Sequence, residues 1–539
     1  MPRSHKPVLI AGAGPTGLTL ANALAAYGCA FDIIDAKAAP ERDSKALAIN
    51  AASQYGFALL GLQGTLGARG APLNTLAVHW EGRRLAGIAV HRASRRFGPF
   101  IAQPQAETER DLGAALEGQG VAIERQLRLV AATPSGDGVE VQLMDANGAC
   151  STRRYGWVIG CEGKHSAVAE AIGARFESTR YPMHFLLGDF PLELDAPPDQ
   201  AAYHVWDDLF FILVPLGGGR WRVVLKRDGE LPPQGPAEAD TIVREVSARL
   251  GDVFRGPPVW LSRAPFYQRW SDRLRRGRML LAGDAAHLYS PIGGTGMNTG
   301  MGDAFALAWR LAWVVRGLGP EALLDDYECL RIAAMRANGE ATDRSTRLIA
   351  RLERDPQQVA SLLPLMRNRP LARTALPRAY SGLGLHYASL QALYPGSGGL
   401  CLALPDLLDQ LHAGTRERRA APAAHLVIAA PPGAGLQGLL GCHAEWLAER
   451  ATVLRGVLLA PAQPRQAASL APLRWLADAD GALAQGCGLL PGEALLVLPD
   501  GVVGWRGALP AAWDSLAAAT DALLAPLPER AAAPAVSVH

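Results

Sequence analysis

The feature that most constrains this sequence is a glycine pattern near its start, Gly12-x-Gly14-x-x-Gly17. It follows a short apolar run, 8–11, that predicts a buried strand, and it opens the segment 16–27, whose apolar spacing predicts a helix. In such a unit Gly12 permits the tight turn, Gly14 lets the backbone approach a pyrophosphate, and Gly17 lets the helix pack on the strand. The pattern predicts a dinucleotide-binding βαβ unit; the alternative is a glycine-rich turn inside a core.

A second predicted strand, Phe31–Asp35, completes this unit. The carboxylate of Asp35 at its end can accept hydrogen bonds from ribose hydroxyls and would repel a 2′-phosphate, so the site suits FAD or NAD rather than NADP. Pro15 and Thr16 begin the helix, where free amides favour an anion and the threonine hydroxyl adds a donor. By itself the glycine pattern does not separate FAD from NAD.

A second glycine-rich segment lies far along the chain. Asp284 directly follows a predicted buried strand, and the loop 291–298 (Pro-Ile-Gly-Gly-Thr-Gly-Met-Asn) comes next. Glycines at this density allow a flat ring to approach the backbone closely. Asp284 is expected to hold ribitol hydroxyls, and the amides of Met297 and Asn298 to donate to a flavin carbonyl. A helix starting near Gly300 would present its positive end to a reduced, anionic flavin.

Composition narrows the function classes. A chain of 539 residues suggests two or three domains, and a net charge of +2 implies no nucleic-acid partner. The seven cysteines are scattered without a C-x-x-C pair, which argues against a disulfide framework, a metal site and a dithiol redox centre. The apolar run after Lys6 is too short for a secretion sequence, and no stretch is long enough to span a membrane. We therefore expect a cytoplasmic protein.

In order and spacing these motifs resemble the class A flavoprotein monooxygenases, the p-hydroxybenzoate hydroxylase-like enzymes, and especially the phenol and pentachlorophenol hydroxylase branch. The resemblance covers nearly the whole chain. Further segments that look like that branch are Ser44-Lys45, 105–112, 157–166, 203–224 and 499–506, the last being similar to the end of a thioredoxin-like C-terminal domain.

The resemblance implies an α/β fold in which a Rossmann-like FAD domain is interleaved with a β-rich substrate domain and followed by a thioredoxin-like domain. Without C-x-x-C, this last domain is expected to serve packing or homodimer formation. The expected boundaries are 1–180 for the first part of the FAD domain (with substrate-sheet strands at about 73–103), 181–275 for the substrate domain, 276–395 for the second part of the FAD domain with long helices, 396–525 for the thioredoxin-like domain and 526–539 for a disordered tail.

The resemblance also implies an activity. Family members reduce FAD with NADPH or NADH, add O2 at flavin C4a and transfer the hydroxyl to an electron-rich ring, here a small phenolic or polyketide-like aromatic substrate. Two alternatives stay open. One is another oxidation by the same fold, such as epoxidation, Baeyer–Villiger insertion or modification of an antibiotic. The other is a degenerate FAD-binding protein without catalysis.

Cofactor residues carry over position by position. Lys45 stands where the family usually has an arginine at the flavin, Gln105 matches a glutamine beside FAD, and the Pro291 carbonyl matches one near the hydroxylated position. The remaining expected FAD contacts in the second loop are Gly293, Gly294 and Gly296.

Four positions depart from the family pattern. Glu162-Gly163 replaces the Asp-Gly motif that supports FAD and NAD(P)H binding, and Glu162 is still expected to contact the cofactor. Ala52 and Ala169 replace usual arginines, and Ala306 replaces a common asparagine. These changes bear on NAD(P)H handling and on the tightness of FAD binding.

A phenol reacts better as phenolate, so a group that takes or stabilises its proton is needed. Tyr203 is the candidate, with His204 as a rival on the opposite face of the same strand. Trp206, Phe211 and Tyr267 are expected to line the pocket. The alternative for all of these aromatic residues is packing in a half-buried sheet. Nearer the flavin loop, His287 is expected to be a structural hydrogen-bonder.

Overall fold

The computed structural model describes residues 7–40, 46–67, 70–229, 237–289, 294–352, 376–384, 386–393, 395–412, 422–430, 443–461 and 473–524. The chain forms two compact units. The first unit comprises 1–25, 30–305 and 331–385, and the second comprises 26–29, 306–330 and 386–539. The expected boundary between FAD and substrate domains falls inside the first unit and stays a prediction. No helix within the described ranges is long and apolar enough to cross a membrane.

The first unit is built around a six-stranded sheet in the order β18-β19-β12-β1-β2-β8. Its strands are parallel except for the edge strand β18. Both faces of the central strands are buried, which explains their continuous apolar sequences. The strands are β1 (Val8–Ala11), β2 (Phe31–Asp35), β8 (Glu124–Arg125), β12 (Trp157–Gly160), β18 (Arg275–Arg276) and β19 (Met279–Leu281).

A second sheet of the first unit has eight strands in the order β20-β17-β13-β16-β15-β14-β5-β6. It is antiparallel apart from the β14–β5 pair. A hairpin joins β15 and β16, and Gly217 to Gly219 at its turn adopt positive φ. The strands are β5 (Thr75–Trp80), β6 (Arg83–Ile88), β13 (Phe176–Pro191), β14 (Gln200–Val205), β15 (Phe210–Gly217), β16 (Arg220–Asp228), β17 (Trp260–Ser271) and β20 (His287–Leu288).

Two three-stranded sheets complete the strands of the first unit. One contains β3 (Ala48–Ile49), β4 (Ala71–Leu73) and β7 (Phe100–Ala102), and the other contains β9 (Leu127–Ser135), β10 (Gly138–Asp145) and β11 (Cys150–Tyr155). The helices assigned along the chain are α1 (Pro15–Ala26), α2 (Ala51–Leu59), α3 (Gln105–Glu117), α4 (Ala167–Ala171), α5 (Ala237–Leu250), α6 (Thr295–Val315), α7 (Leu323–Leu352), α8 (Leu376–Tyr380), α9 (Ala388–Leu393), α10 (Leu404–Leu411), α11 (Ala482–Gly486) and α12 (Trp513–Leu524).

The eight-stranded sheet buries a separate core on each face. One core, the inner cluster, joins the sheet to the small β3–β7–β4 sheet through residues such as Leu73, Phe100 and Phe185. The other, the outer cluster, lies between the sheet and α5, where Ile242 and Val246 are buried. Side chains alternate between the two faces along each strand, so neighbouring residues enter different cores.

The second unit contains a five-stranded sheet in the order β23-β22-β21-β24-β25. β21 to β23 are mutually parallel, while β24 and β25 run antiparallel to their neighbours. The strands are β21 (Ala424–Ala429), β22 (Leu454–Ala460), β23 (Arg474–Ala477), β24 (Glu493–Val497) and β25 (Val503–Ala508). A thioredoxin-like classification of this domain stays a prediction, and the expected tail 526–539 lies outside the described residues.

Helix α2 begins at Ala51, because residues 48–49 pair as strand β3 and Asn50 caps the helix by accepting from the Ser53 amide. One predicted helix start was wrong. The helix predicted to start near Gly300 begins at Thr295. Three of its first eight residues are glycines, which lower the helix propensity of this segment.

Candidate active site

The first glycine pattern forms a turn in which backbone atoms pack closely against two of the three glycines. Gly12 adopts a φ of +102°, and its amide donates to the Ile34 carbonyl at 2.8 Å. A Cβ on Gly12 would collide with the Cys161 carbonyl, and one on Gly17 with the Gly12 carbonyl. Around Gly14, by contrast, no described atom lies within 4 Å of where a Cβ would stand. Two glycines are required for packing, whereas Gly14 faces open space.

Asp35 lies at the end of β2 beside this turn. Its Oδ2 accepts a hydrogen bond from the Ala13 amide at 2.6 Å, and its Oδ1 accepts one from the Lys37 amide at 2.8 Å. A carboxylate has about four acceptor positions, so these bonds orient the group and leave capacity for ribose hydroxyls. Pro15 is the first residue of α1, where its missing N–H costs no helical hydrogen bond.

Thr16 joins this turn to the second glycine-rich segment. Gly283, with a φ of +64°, and Gly300 both lie against it, and a Cβ on either glycine would collide with the Thr16 hydroxyl. The two glycines also adjoin each other, since a Cβ on Gly300 would lie 3.2 Å from the Gly283 Cα. The start of α1, the turn after β19 and the beginning of α6 therefore meet at one point.

Asp284 follows in a 3₁₀ turn, Gly283–Ala285. Its two neighbours in the turn are buried, but its own side chain is exposed. Burial by the surrounding protein nevertheless raises the pKa of the Asp284 carboxyl, against an opposing effect of His287. An exposed carboxylate can accept hydrogen bonds from ribitol hydroxyls, and the contact of Asp284 with FAD stays a prediction.

Asn298 ties the beginning of α6 to α2. Its Oδ1 accepts from the Asn50 amide at 2.9 Å and from the Ser53 hydroxyl at 2.7 Å. Its Nδ2 donates to the carbonyls of Ala48 at 2.7 Å and Gly294 at 2.8 Å. The side chain is therefore a structural tie, and only the Asn298 backbone remains for the predicted role at the flavin.

The first turn of α6 has features that fit a flavin. Because the helix begins at Thr295, the amides of Gly296 and Met297 have no acceptor inside the helix. No described atom lies within 4 Å of a Cβ built on Gly296. Thr295 Oγ1 is buried and makes no hydrogen bond to any described residue. Amide donors at a positive helix end, an open glycine and an unsatisfied hydroxyl suit the polar edge of an isoalloxazine.

Asp303 makes hydrogen bonds that join three segments of this region, and it was not among the residues predicted for the site. Its Oδ2 accepts from the Gly283 amide at 3.0 Å and lies 2.7 Å from His287 Nε2, while its Oδ1 accepts from Arg331 Nε at 2.7 Å. Burial alone would raise the pKa of Asp303, but Arg331 and His287 lower it to about 2. His287 is thus a structural hydrogen-bonder, as predicted. The available cue was one acidic residue within an apolar helix.

The structure describes only some of the other residues that are predicted to contact the flavin. Gln105 begins α3, and its Nε2 donates to Glu109 Oε1 at 2.8 Å, while its amide donates to the Ala46 carbonyl at 3.2 Å. Gly294 adopts a φ of +61° directly before α6, a conformation that favours glycine. Lys45, Pro291 and Gly293 lie outside the described residues.

Glu162, which replaces the family aspartate, is directed at the start of α4. Ser166 Oγ donates to its Oε2 at 2.7 Å, and the Val168 amide donates to its Oε1 at 3.3 Å. Burial raises the pKa of Glu162 to about 7, although the hydrogen bonds from Ser166 and neighbouring amides oppose the rise. The carboxyl therefore titrates near neutral pH and is engaged in local capping.

The three alanines that depart from the family pattern occupy packed positions. The Ala52 amide donates to the Ser381 carbonyl at 3.0 Å, and a Cβ on Gly382 would lie 2.9 Å from the Ala52 Cβ. The turn at 381–382 therefore packs where the family pattern has an arginine. Ala169 and Ala306 are both 5% exposed.

Tyr203 lies on β14, opposite Ile212 of β15 and Val78 of β5. Its ring packs against the inner cluster, with its centroid 6.3 Å from that of Phe210. Burial raises the pKa of Tyr203, and the nearby Tyr380 of α8 raises it further. The phenol therefore stays protonated at neutral pH, so it can donate a hydrogen bond but cannot act as an ionised base.

His204, Trp206 and Phe211 lie together in the outer cluster. The His204 and Phe211 rings stack with centroids 4.8 Å apart, and those of Trp206 and Phe211 are 5.4 Å apart. The stack continues to His79, 4.7 Å from His204. Burial, with His79 adding to it, lowers the pKa of His204 to about 3. The structure thus separates this group from Tyr203 instead of placing both around one pocket.

Tyr267 is also distant from Tyr203. It is half-buried on β17, opposite Arg180, and three strands lie between β17 and β14. At about 4.8 Å per strand spacing, the two strands are roughly 19 Å apart. A monocyclic phenol is too small to contact both tyrosines. The sequence motifs contain no information on strand order, so they did not reveal this separation.

Comparison with known proteins gives consistent results. A family model described as FAD binding domain matches residues 5–342. The 6-methylpretetramide 4-monooxygenase of Streptomyces rimosus is 33% identical over 524 residues, which covers 93% of this chain and 90% of the relative. The pentachlorophenol 4-monooxygenase of Sphingobium chlorophenolicum is 31% identical, with coverage of 60% of this chain and 61% of that protein. The solved structure of anhydrotetracycline hydroxylase from Streptomyces rimosus has a TM-score of 0.73 and 25% identity, covering 97% of this chain and 99% of the other.

Proposed function

The chain belongs to the FAD-binding domain family of flavin monooxygenases, and from this premise we propose that it hydroxylates a fused-ring phenol of the aromatic polyketide type. The predicted family, α/β fold class, FAD cofactor and monooxygenase activity are confirmed. NAD(P)H is the co-substrate that this family uses. The proposed substrate class rests on how much of the chain aligns with each relative. The 6-methylpretetramide enzyme aligns with 93% of the chain, and the pentachlorophenol enzyme aligns with 60%.

The two glycine-rich segments are proposed to bind different parts of FAD. The open position at Gly14 and the amides at the start of α1 would receive the pyrophosphate. Asp35 would bind the ribose and Asp284 the ribitol hydroxyls. The amides of Gly296 and Met297 would donate to the pyrimidine edge of the ring. Bound FAD would supply reduction by NAD(P)H and activation of O2.

The inner face of the eight-stranded sheet is the proposed substrate side. The small sheet that covers this face contains β3, and the Ala48 carbonyl of β3 accepts from Asn298 beside the flavin site. Tyr203 lies on this face, and Tyr380 adds a second phenol, 38% exposed, close to it. The outer face is covered by α5, so the stack around His204 is proposed to be structural.

Tyr203 is proposed to stabilise the ionised substrate. Because burial keeps its hydroxyl protonated, it can donate a hydrogen bond to the substrate oxygen, and such a bond is stronger to a phenolate than to a phenol. This lowers the pKa of the bound substrate and makes its ring more electron-rich. The proton itself would leave to solvent or to another acceptor.

The proposal is tested with purified protein loaded with FAD. NAD(P)H oxidation is followed with anhydrotetracycline as a fused-ring phenol and with pentachlorophenol as a monocyclic one. We expect the fused-ring phenol to stimulate oxidation more strongly and its product to gain one labelled oxygen from oxygen-18 gas. A product whose NMR spectrum shows an epoxide or ring-expanded lactone instead of a new phenolic hydroxyl would contradict hydroxylation. Protein that binds no FAD would contradict an enzymatic role altogether.

The five-stranded domain of the second unit is proposed to serve packing or homodimer formation. Its thiols do not form a C-x-x-C motif, so thioredoxin-type exchange is not proposed for it. Light scattering of the FAD-loaded protein measures the assembly directly: a dimer mass supports the second role, and a monomer mass contradicts it.

A further inference from the structure

Two cysteines of the second unit lie side by side although they are far apart in sequence. Cys401 precedes α10 and Cys487 caps the end of α11. Their Sγ atoms are 3.9 Å apart across a separation of 86 residues. The absence of a C-x-x-C pair predicts no dithiol centre, but sequence spacing can reveal only pairs of cysteines that are close in sequence. The fold creates a pair that the spacing conceals.

Both backbones of the pair are held by hydrogen bonds. The Cys401 amide donates to the Gly501 carbonyl at 2.9 Å, and the Cys401 carbonyl accepts from the Leu404 amide at 3.1 Å. The Cys487 amide donates to the Leu483 carbonyl at 3.0 Å. A disulfide has an S–S distance of about 2.05 Å, so the sulfurs must approach by about 2 Å. Side-chain rotation with small backbone adjustments can supply such a movement.

The two thiols differ in accessibility and in acidity. Cys401 is 3% exposed, whereas Cys487 is half-buried and reachable by a small oxidant. The hydrogen bond that the two thiols share lowers the pKa of the Cys401 thiol and, together with burial, raises the pKa of the Cys487 thiol. Cys487 is therefore the sulfur that a peroxide can reach, and Cys401 is the one that favours the thiolate, the nucleophilic form.

We infer that Cys401 and Cys487 are an oxidation site, at which a peroxide converts the two thiols into an intramolecular disulfide. One sulfur attacks a peroxide oxygen, the O–O bond breaks, and a sulfenic acid and one water form. The second sulfur then attacks the sulfenic sulfur, the S–O bond breaks, and the oxygen leaves as a second water. With hydrogen peroxide, two thiols lose two electrons and two protons, and the oxidant is reduced to two waters.

Exposed cysteines serve as the internal comparison. Cys150 and Cys329 are both exposed, so peroxide reaches them at least as easily as it reaches Cys487. Among the described residues neither Cys150 nor Cys329 has a second thiol recorded beside it, so a sulfenic acid formed there is expected to be oxidised further to sulfinic acid. Reversibility by dithiothreitol therefore distinguishes the proposed site from general surface oxidation.

The test treats FAD-loaded, full-length protein with hydrogen peroxide, blocks remaining thiols by alkylation after unfolding, and maps peptides by mass spectrometry. We expect a linked Cys401–Cys487 peptide that disappears after dithiothreitol. Cys487→Ala and Cys401→Ala should each abolish the linked peptide, and Cys150→Ala should leave it unchanged.

The inference is overturned if peroxide oxidises Cys150 and Cys329 while Cys401 and Cys487 both remain open to alkylation. It is equally overturned if either cysteine of the pair accumulates as sulfinic acid without a linked peptide. The wild-type map decides the question by itself, so a variant that fails to fold does not weaken the test.

Discussion

Thr16 and Gly283 are in direct contact, and the Thr16 hydroxyl occupies the volume that a side chain on Gly283 would require. Thr16 belongs to the glycine turn at the start of the chain, and Gly283 to the segment before α6. The contact brings together two motifs more than 250 residues apart in sequence, as the proposed cofactor site requires. The glycines of this site thus have two roles: some allow elements to pack, and others leave space for the ligand.

Gly283→Ala should disrupt this contact. The new Cβ would collide with Thr16 and would also be strained at a φ of +64°, so we expect FAD affinity to fall by at least about tenfold, or about 1.4 kcal/mol. FAD fluorescence titration measures the change. Gly120→Ala is the matched control, because Gly120 has a φ of +79° but no described atom near its Cβ position. Equal loss of FAD affinity in both variants would refute the role of the contact.

Asp303→Asn should destabilise the protein strongly. It removes the carboxylate that neutralises Arg331, which is 3% exposed, and loss of one partner from a buried ion pair costs about 3–5 kcal/mol. Denaturant unfolding measures the free energy of unfolding. Asp208→Asn is the control, because it removes one partner of a surface ion pair with Arg249 in which the Asp208 side chain is 71% exposed. Surface ion pairs contribute about 1 kcal/mol or less to stability. A similar small loss in both variants would contradict the account.

Glu162→Gln should change the pH dependence of stability. The pKa of Glu162 is raised by burial from 4.5 to about 7, so the unfolded chain loses this proton first as pH rises. The free energy of unfolding therefore decreases between pH about 4.5 and about 7, by at most about 3 kcal/mol. We expect the glutamine variant of the FAD-free protein to lack this decrease. Parallel thermal-midpoint curves for variant and wild type between these pH values would contradict the prediction.

Tyr203→Phe should lower kcat/KM for the phenolic substrate. A lost hydrogen bond to a charged group costs about 1.5–3 kcal/mol, which corresponds to roughly tenfold or more in rate, and the kinetic pKa of the bound phenol should rise. His204→Phe changes the neighbouring residue of the same strand on the outer face, and it should alter kcat/KM by less than about twofold because it preserves ring stacking. The reverse order of effects would move the substrate to the face beneath α5.

Much of the cofactor site could be predicted from the sequence because local backbone geometry determines it. The positions of Gly12, Gly14 and Gly17 follow from the turn between a strand and a helix, and each has the packing expected for its place in that turn. Asp35 and Asp284 were proposed for the same reason, since Asp35 ends the strand β2 and Asp284 lies three residues after the end of β19.

The substrate site was less predictable because strand order and long-range packing determine it. Alternation along β14 correctly separated Tyr203 from His204, but it did not indicate which face meets the flavin or how far Tyr267 lies across the sheet. Tyr380 and Asp303 were missed because their partners come from distant elements. The Cys401–Cys487 pair was missed for the same reason.

The most direct test of the central claim, that open glycines receive FAD, is titration of FAD into the FAD-free Gly14→Val variant. A Cβ at Gly14 meets no described atom within 4 Å, and the φ of Gly14 lies outside the left-handed region that favours glycine. We therefore predict a thermal midpoint within about 2 °C of the wild type and FAD affinity at least about 100-fold weaker, or about 2.8 kcal/mol. Wild-type FAD affinity in this variant would contradict the account.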